Sequence, residues 1–159
     1  MTETIIADLH STSHAGDIVR LLNEYASDPM GGGQPLTEYT KTNLVSELAK
    51  RDRCTVVLTY VEQEAAALVI CFEGFSTFSC KPILNIHDVV VSQKFRGQGL
   101  AVGLLEKAES VAMETGCCKM TLEVLEGNHR AAKVYREFGF SPYELDPELG
   151  NAMFYEKKL

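Results

Sequence analysis

Residues 85–102 read NIHDVVVSQKFRGQGLAV, and this stretch decides the fold of the chain. The β-branched run Val89–Val91 predicts a buried strand, and the apolar spacing after Leu100 predicts a long helix. Between them lies a turn interrupted by Gly97 and Gly99. The first N–H groups of a helix have no partner within it, and glycine lets the backbone curl around an anion. This strand, turn and helix therefore predict a site for a phosphorylated ligand.

Three phosphate-binding patterns compete for this turn. A P-loop requires Gly-Lys-Ser/Thr at its end, and the chain contains no such string. A dinucleotide fingerprint requires a third glycine where Val102 stands, and it belongs on the first βαβ unit rather than past mid-chain. The third pattern, Arg/Gln-x-x-Gly-x-Gly/Ala, is met by Arg96, Gly99 and Ala101. A plain strand-to-helix connection is the alternative for these residues taken alone.

A second motif follows downstream. After Gly116 ends the long helix, the alternation from Met120 to Val124 predicts a strand. A turn and a helix then carry the string Asn128-x-x-Ala131-x-x-x-Tyr135-x-x-x-Gly139-Phe140. Asn128 and Tyr135 lie two turns apart on one helix face, so both can line one groove. Taken alone, Asn128 would be a helix N-cap and Tyr135 a core residue with its hydroxyl at the rim.

Together, in this order, the two motifs resemble the signatures of the GNAT superfamily of acyl-CoA N-acyltransferases, in particular its diamine/polyamine N-acetyltransferase branch. The resemblance implies one α/β (α+β) domain over residues 1–159. It implies a mixed, mostly antiparallel sheet of about six to seven strands, about four helices, and splayed fourth and fifth strands. It also implies acetyl-CoA as co-substrate, bound by Val89, Val90, Val91, Arg96, Gly97, Gln98, Gly99, Leu100, Ala101, Val102, Asn128 and Tyr135.

The catalytic residues follow from the same resemblance. It implies that Tyr135 protonates the departing CoA thiolate and that N–H groups of the splayed fourth strand polarise the thioester carbonyl. The polyamine branch has a glutamate where this chain has His87, so His87 is the candidate base for the amine. Strand alternation predicts that His87 shares a face with Val89. A histidine hydrogen-bonded beside the strand is the alternative, and Glu123 and Glu73 are reserve bases.

The resemblance places the acceptor pocket at the first helix, the loop after it, and the connection between the third and fourth strands. The candidate residues for the amine are Glu24, Tyr25, Phe75, Phe78 and His87. The glycine-rich loop from Asp28 to Pro35 is either a hinge that admits substrate or a long surface loop. A small primary amine such as a polyamine is the expected acceptor. A protein or peptide amine, and a non-catalytic acyl-CoA sensor or scaffold, are the alternatives.

Composition sets further limits. The chain of 159 residues has 15 Lys and Arg against 22 Asp and Glu, a net charge of -7, which argues against nucleic acid as a ligand. No membrane-spanning run or leader is evident, and the 5 cysteines lack metal-ligand spacing, so a cytoplasmic protein without a metal is predicted. Dimers are common in the superfamily, so a homodimer stays open.

The rest of the chain supplies less specific patterns. They predict strands at Thr4–Asp8, Cys54–Tyr60, Glu64–Phe72 and Asn151–Lys157, and helices around Ile18–Tyr25 and Thr37–Lys50.

Overall fold

In the computed structural model, which describes residues 1–159, five strands form one mixed sheet. They are β1 (Thr2–Ile6), β2 (Cys54–Val61), β3 (Glu64–Ser76), β4 (Lys81–Val91) and β5 (Met120–Leu122). Their order across the sheet is their order in the chain. Strands β1 to β4 pair antiparallel with their neighbours, and β5 pairs parallel to β4. The predicted mixed, mostly antiparallel sheet is confirmed.

Four α-helices flank the sheet: α1 (Thr12–Ser27), α2 (Glu38–Ala49), α3 (Leu100–Glu114) and α4 (His129–Phe138). Helices α1 and α2 cover one face in a cluster around Ile18, while α3 covers the other in a cluster around Leu104. Because side chains alternate along a strand, β3 supplies both clusters, with Leu68 on the α1/α2 side and Val69 on the α3 side. None of the helices has both the length and the apolar character that a membrane crossing requires.

Strands β4 and β5 separate soon after they meet. Their pairing covers only Leu84 to Ile86 of β4, opposite Met120 to Leu122. Residues 87–91 of β4 continue without a strand neighbour on that side. The predicted splay between the fourth and fifth strands is therefore present, and it opens a cleft beside the end of β4.

The sheet has five strands rather than the predicted six to seven. The segment Asn151–Lys157 is not a strand and makes one isolated bridge, between Asn151 and Glu144. Its aromatic residues Phe154 and Tyr155 are 78% and 80% exposed. A strand needs a buried face to fix its register, and this segment buries neither face. The prediction failed because alternation of residue types does not by itself supply a surface to pack against.

Candidate functional site

A cavity of about 330 Å³ lies beside the separation of β4 and β5. Its walls come from the end of α1, the end of β4, the turn before α3, and α4. The predicted site residues that line it are Tyr25, Val89, Val90, Val91, Arg96, Gly97, Gly99, Leu100, Ala101, Val102, Asn128 and Tyr135. Gln98 does not line it. Two motifs that are well separated in the chain thus meet around one space of a size that suits a ligand.

The end of β4 presents free backbone groups to this cavity. The N–H of Ser92 donates to the carbonyl of Ala66 at 2.9 Å, so Val91 forms a non-hydrogen-bonded pair with β3. The N–H and C=O of Val91 consequently point away from β3. The Arg96 Nε, which donates to the Val91 carbonyl at 3.3 Å, lies on that outer side.

The same register fixes the two preceding residues. Val89 stands in the same position as Val91, because hydrogen-bonded and non-hydrogen-bonded pairs alternate along an antiparallel ladder. Val90 is a hydrogen-bonded partner of Leu68 and spends its backbone groups on β3. Of the three valines, Val89 and Val91 therefore offer N–H donors to the cavity, while Val90 contributes only to its lining.

The turn before α3 is an array of unused donors. Gly97 and Gly99 have φ values of 85° and 76°, a left-handed conformation that glycine adopts without strain. Gly99 precedes α3 without any side-chain cap, and the N–H groups of residues 97–101 donate to no acceptor in the protein. The positive end of the helix dipole lies at the same place. Such an array is suited to an anion such as a pyrophosphate.

Two arginines lie near this turn. Arg96 Nη2 donates to Asp28 Oδ2 at 3.0 Å. Arg130, in the first turn of α4, lies across the cavity entrance, with its Nη2 3.9 Å from the position that a Cβ at Gly97 would take. Sequence reasoning missed Arg130, although its place two residues after Asn128 was available as a signal. Both guanidinium groups line the cavity, so an anion at the turn would meet positive charge from two sides.

Tyr135 and Tyr25 face the cavity from α4 and α1. Burial raises the pKa of Tyr135 to about 12, and Tyr25 nearby adds to this. The pKa of Tyr25 is also raised, by burial and then by the negative charges of Asp88 and Asp28. Both phenols therefore remain protonated at physiological pH and can donate a hydrogen bond. Tyr135 is held by an edge-on contact with Phe140, at 6.1 Å between ring centroids.

Asn128 has a structural task as well as a place in the cavity wall. Its side-chain oxygen accepts a hydrogen bond from the N–H of Ala131 at 3.2 Å, which caps α4. The N-cap interpretation is therefore correct, and it is compatible with ligand contact because the residue also lines the cavity.

His87 lies at an irregularity in β4. Ile70 of β3 is opposite Asp88 while Cys71 is opposite Ile86, so His87 is an extra residue without a partner, a β-bulge. Its ring meets Phe72 edge-on at 5.3 Å between centroids, on the α1/α2 side of the sheet. Val89 packs on the α3 side. The prediction that the two share a face is wrong, because the bulge interrupts the alternation.

His87 is exposed and does not line the cavity. Asp88 beside it is largely buried, and burial raises the pKa of its carboxyl while the positive charge of His87 opposes this. Asp88 also acts on Tyr25, whose pKa it raises. Sequence reasoning missed Asp88 because its burial depends on α1, which packs over it from far away in the chain.

The other residues proposed for amine binding lie elsewhere. Glu24 Oε1 accepts the backbone N–H of Gln93 at 2.7 Å, which ties α1 to the turn after β4. Phe75 and Phe78 lie at the β3–β4 hairpin, 59% and 96% exposed, and do not line the cavity. Of the reserve bases, Glu73 forms an ion pair with Arg53 at 2.6 Å. Glu123 is exposed just beyond β5.

Comparison with known proteins gives the same picture. The sequence model of the acetyltransferase (GNAT) family matches residues 18–140. An uncharacterized N-acetyltransferase of Archaeoglobus fulgidus is 34% identical over 94 residues, which are 58% of this chain and 64% of the relative. The thialysine N-epsilon-acetyltransferase of Bos taurus is 34% identical over 66 residues, 42% of this chain and 38% of the relative. The chain thus spans less than two thirds of these relatives.

Solved structures share the fold at lower identity. An aminoglycoside N-acetyltransferase in complex with CoA superimposes with a TM-score of 0.75 at 15% identity, covering 100% of this chain and 96% of that one. The ribosomal-protein-alanine N-acetyltransferase of Brucella melitensis gives a TM-score of 0.69 at 16% identity, covering 92% and 99%. At such identities the likeness shows the fold.

Proposed function

The chain belongs to the acetyltransferase (GNAT) family, and we propose that it transfers an acetyl group from acetyl-CoA to a primary amine by direct attack in a ternary complex. One observation carries the proposal. The unused N–H groups of residues 97–101 open into the same cavity as Tyr135 and the free backbone edge of β4. An anion site, a strand edge and a protonated phenol around one space are what acyl transfer from a CoA thioester requires.

The cofactor would be held by two kinds of backbone donor. The turn at residues 97–101 suits the pyrophosphate, with Arg96 and Arg130 beside it. The outward groups of Val89 and Val91 suit the pantetheine arm, whose amides can pair with a strand edge. A strand N–H aimed at the thioester oxygen would stabilise the developing negative charge by about 3–4 kcal/mol.

Tyr135 is the proposed proton donor to the leaving thiolate. Its phenol is neutral at working pH, since burial raises its pKa to about 12. A thiolate in the same dry cavity also binds its proton more tightly than in water, because burial disfavours the charged form. Burial therefore acts on donor and acceptor in the same direction, and a proton transfer between them does not require Tyr135 to be an unusually strong acid.

We propose that the amine loses its proton to the paired groups at the β4 bulge. Asp88 is largely buried and acts on Tyr25 in the cavity wall, while His87 next to it is exposed to solvent. A buried carboxylate can take a proton, and an exposed imidazole can pass it to water. His87 remains in its proposed role as base, now as the outer member of a pair.

A small primary amine is the acceptor that the site favours. Asp28 and Asp88 bring negative charge to the end of the cavity formed by α1, where Tyr25 also lies. A relative in Bos taurus is by name an acetyltransferase for thialysine, a small amine. A cationic amine with an aliphatic stem fits both observations.

The test measures thiol release from acetyl-CoA with polyamines, amino acids, aminoglycosides and N-terminal peptides, across pH. We expect turnover with small primary amines and an acid limb that changes shape in Asp88→Asn and His87→Ala variants. Tight acetyl-CoA binding without turnover on any amine would instead favour the non-catalytic sensor, and the absence of acetyl-CoA binding would refute the site itself.

A further inference from the structure

Asp28 connects three parts of the molecule. It ends α1, and its Oδ1 accepts the N–H of Met30 at 2.9 Å, which starts the short 3-10 turn Pro29–Gly31. Its backbone carbonyl accepts the N–H of Gly31 at 2.8 Å and that of Gly33 at 3.0 Å. Its Oδ2 accepts from Arg96 at 3.0 Å. One residue thus joins a helix end, the glycine-rich loop and the turn before α3.

The loop from residue 28 to residue 34 is held closely against α1. A Cβ at Gly31 would fall 2.0 Å from the carbonyl oxygen of Tyr25, so the backbone there is packed without room for a side chain. The Tyr25 hydroxyl donates to the carbonyl of Met30 at 3.4 Å, and both residues line the cavity. In this state the loop is a wall of the cavity on the side opposite α4.

Arg96 has its charge balanced while the phosphate turn is free. Of its donors, Nε is used by the Val91 carbonyl and Nη2 by Asp28. The Asp28 side chain is only 14% exposed, so little water competes for this pair. A pyrophosphate at the adjacent turn would be attracted by the same guanidinium and repelled by the same carboxylate. Asp28 and the incoming anion therefore compete for Arg96.

We propose that the Asp28–Arg96 ion pair is a latch, through which an anion bound at the phosphate turn releases the loop of residues 28–34 and opens the amine side of the cavity. The inference rests on the proposed function, because the anion is the pyrophosphate of acetyl-CoA. It goes beyond that function by giving the two substrates an order. Acetyl-CoA binds first, and the amine enters past a loop that only the bound cofactor has freed.

The chain offers a matched pair of variants. Asp28→Asn keeps an oxygen for the Met30 N–H and removes the charge that competes for Arg96. Asp146 begins a second Asp-Pro turn, in which its Oδ1 accepts the N–H of Glu148 at 3.0 Å and no arginine is bound. Asp146→Asn therefore makes the same chemical change in the same kind of turn, away from the cavity.

The first measurement is acetyl-CoA affinity by calorimetry. We expect Asp28→Asn to bind acetyl-CoA about five-fold more tightly than the wild type, the size expected for one partly exposed ion pair. Asp146→Asn should bind as the wild type does. In an Arg96→Gln background, which still satisfies the Arg/Gln motif, Asp28→Asn should change the affinity by less than about two-fold. Equal tightening in both backgrounds would show a plain charge effect and overturn the latch.

The second measurement is amide hydrogen exchange of residues 29–34. Acetyl-CoA should accelerate exchange in this loop of the wild type, and in Asp28→Asn the loop should already exchange fast without ligand. Slower exchange of the wild-type loop on acetyl-CoA binding would overturn the latch. Failure of the wild type to bind acetyl-CoA at all would instead refute the proposed function, so the two failures are distinguishable.

Discussion

The helices α3 and α4 both begin at the cavity, and they treat their first N–H groups in opposite ways. Before α3, Gly99 has no side chain to offer, and the donors of the first turn stay unused. Before α4, the Asn128 side chain accepts the N–H of Ala131. The comparison separates a helix end kept open for a ligand from a helix end closed for stability, although each follows a glycine-containing turn.

Packing explains why α3 can remain uncapped. A side-chain cap contributes about 1 kcal/mol to helix stability. Helix α3 has 15 residues and buries several of them completely, among them Leu104 and Leu105, so it does not depend on this contribution. Helix α4 has 10 residues, none of them fully buried, and is short for a helix in water. The cap at Asn128 holds the helix that presents Tyr135 and Arg130.

The largest expected effect concerns the reactive group on the capped helix. Tyr135→Phe should lower kcat about 100-fold, the lower range for loss of a general acid, while acetyl-CoA affinity stays the same. Because the pKa of Tyr135 is raised to about 12, its phenol stays protonated through pH 6 to 10. The variant should therefore lower the rate evenly over about that pH range, without changing the shape of the profile. Wild-type rates in Tyr135→Phe would remove Tyr135 from the mechanism.

The next effect tests the open end of α3. Gly99→Glu should weaken acetyl-CoA binding about 30-fold, because its carboxylate would face the pyrophosphate across a short distance. Gly116→Glu is the control at the other end of α3. Both glycines have nearly the same φ, 76° and 73°, and neither has an atom within 4 Å of its Cβ position. Equal losses of affinity in the two variants would mean that backbone strain, and not the anion site, explains the result.

The smallest effect tests the closed end of α4. Asn128→Ala should reduce the free energy of unfolding by about 1 kcal/mol through loss of the cap. Thr37→Ala removes the corresponding cap of α2, where the Thr40 N–H donates to Thr37 at 3.1 Å, and should destabilise by a similar amount. Chemical denaturation measures both. A loss of acetyl-CoA affinity confined to Asn128→Ala would add a direct ligand contact to the structural role.

Local features of the sequence were predictable, and the reason is their range. The turn around Gly99 and the helix after it follow from glycine conformation and apolar spacing within a short window. Asn128 and Tyr135 share a wall of the cavity because they share a helix face. For these residues the sequence pattern and the geometry are set by the same few neighbours.

Other parts of the site depend on contacts between distant segments. The Asp28–Arg96 pair joins residues 68 positions apart, which no local pattern reports. The bulge at His87 appears only when β4 is aligned with β3, so the predicted facing of His87 was wrong. Glu24 looked free for an amine because its acceptor role toward the Gln93 backbone requires α1 to lie beside the end of β4.

The extra residue at His87 acts on β4 as a frameshift acts on a message. Before it, the even-numbered Leu84 turns its N–H outward and donates to the Lys119 carbonyl beside β5 at 3.1 Å. After it, the odd-numbered Val89 and Val91 turn theirs outward. One strand edge is thereby divided between two readers, with the protein's own β5 using the first frame and the ligand cleft the second. Deleting His87 would restore a single frame and turn the outward donors of Val89 and Val91 back toward β3.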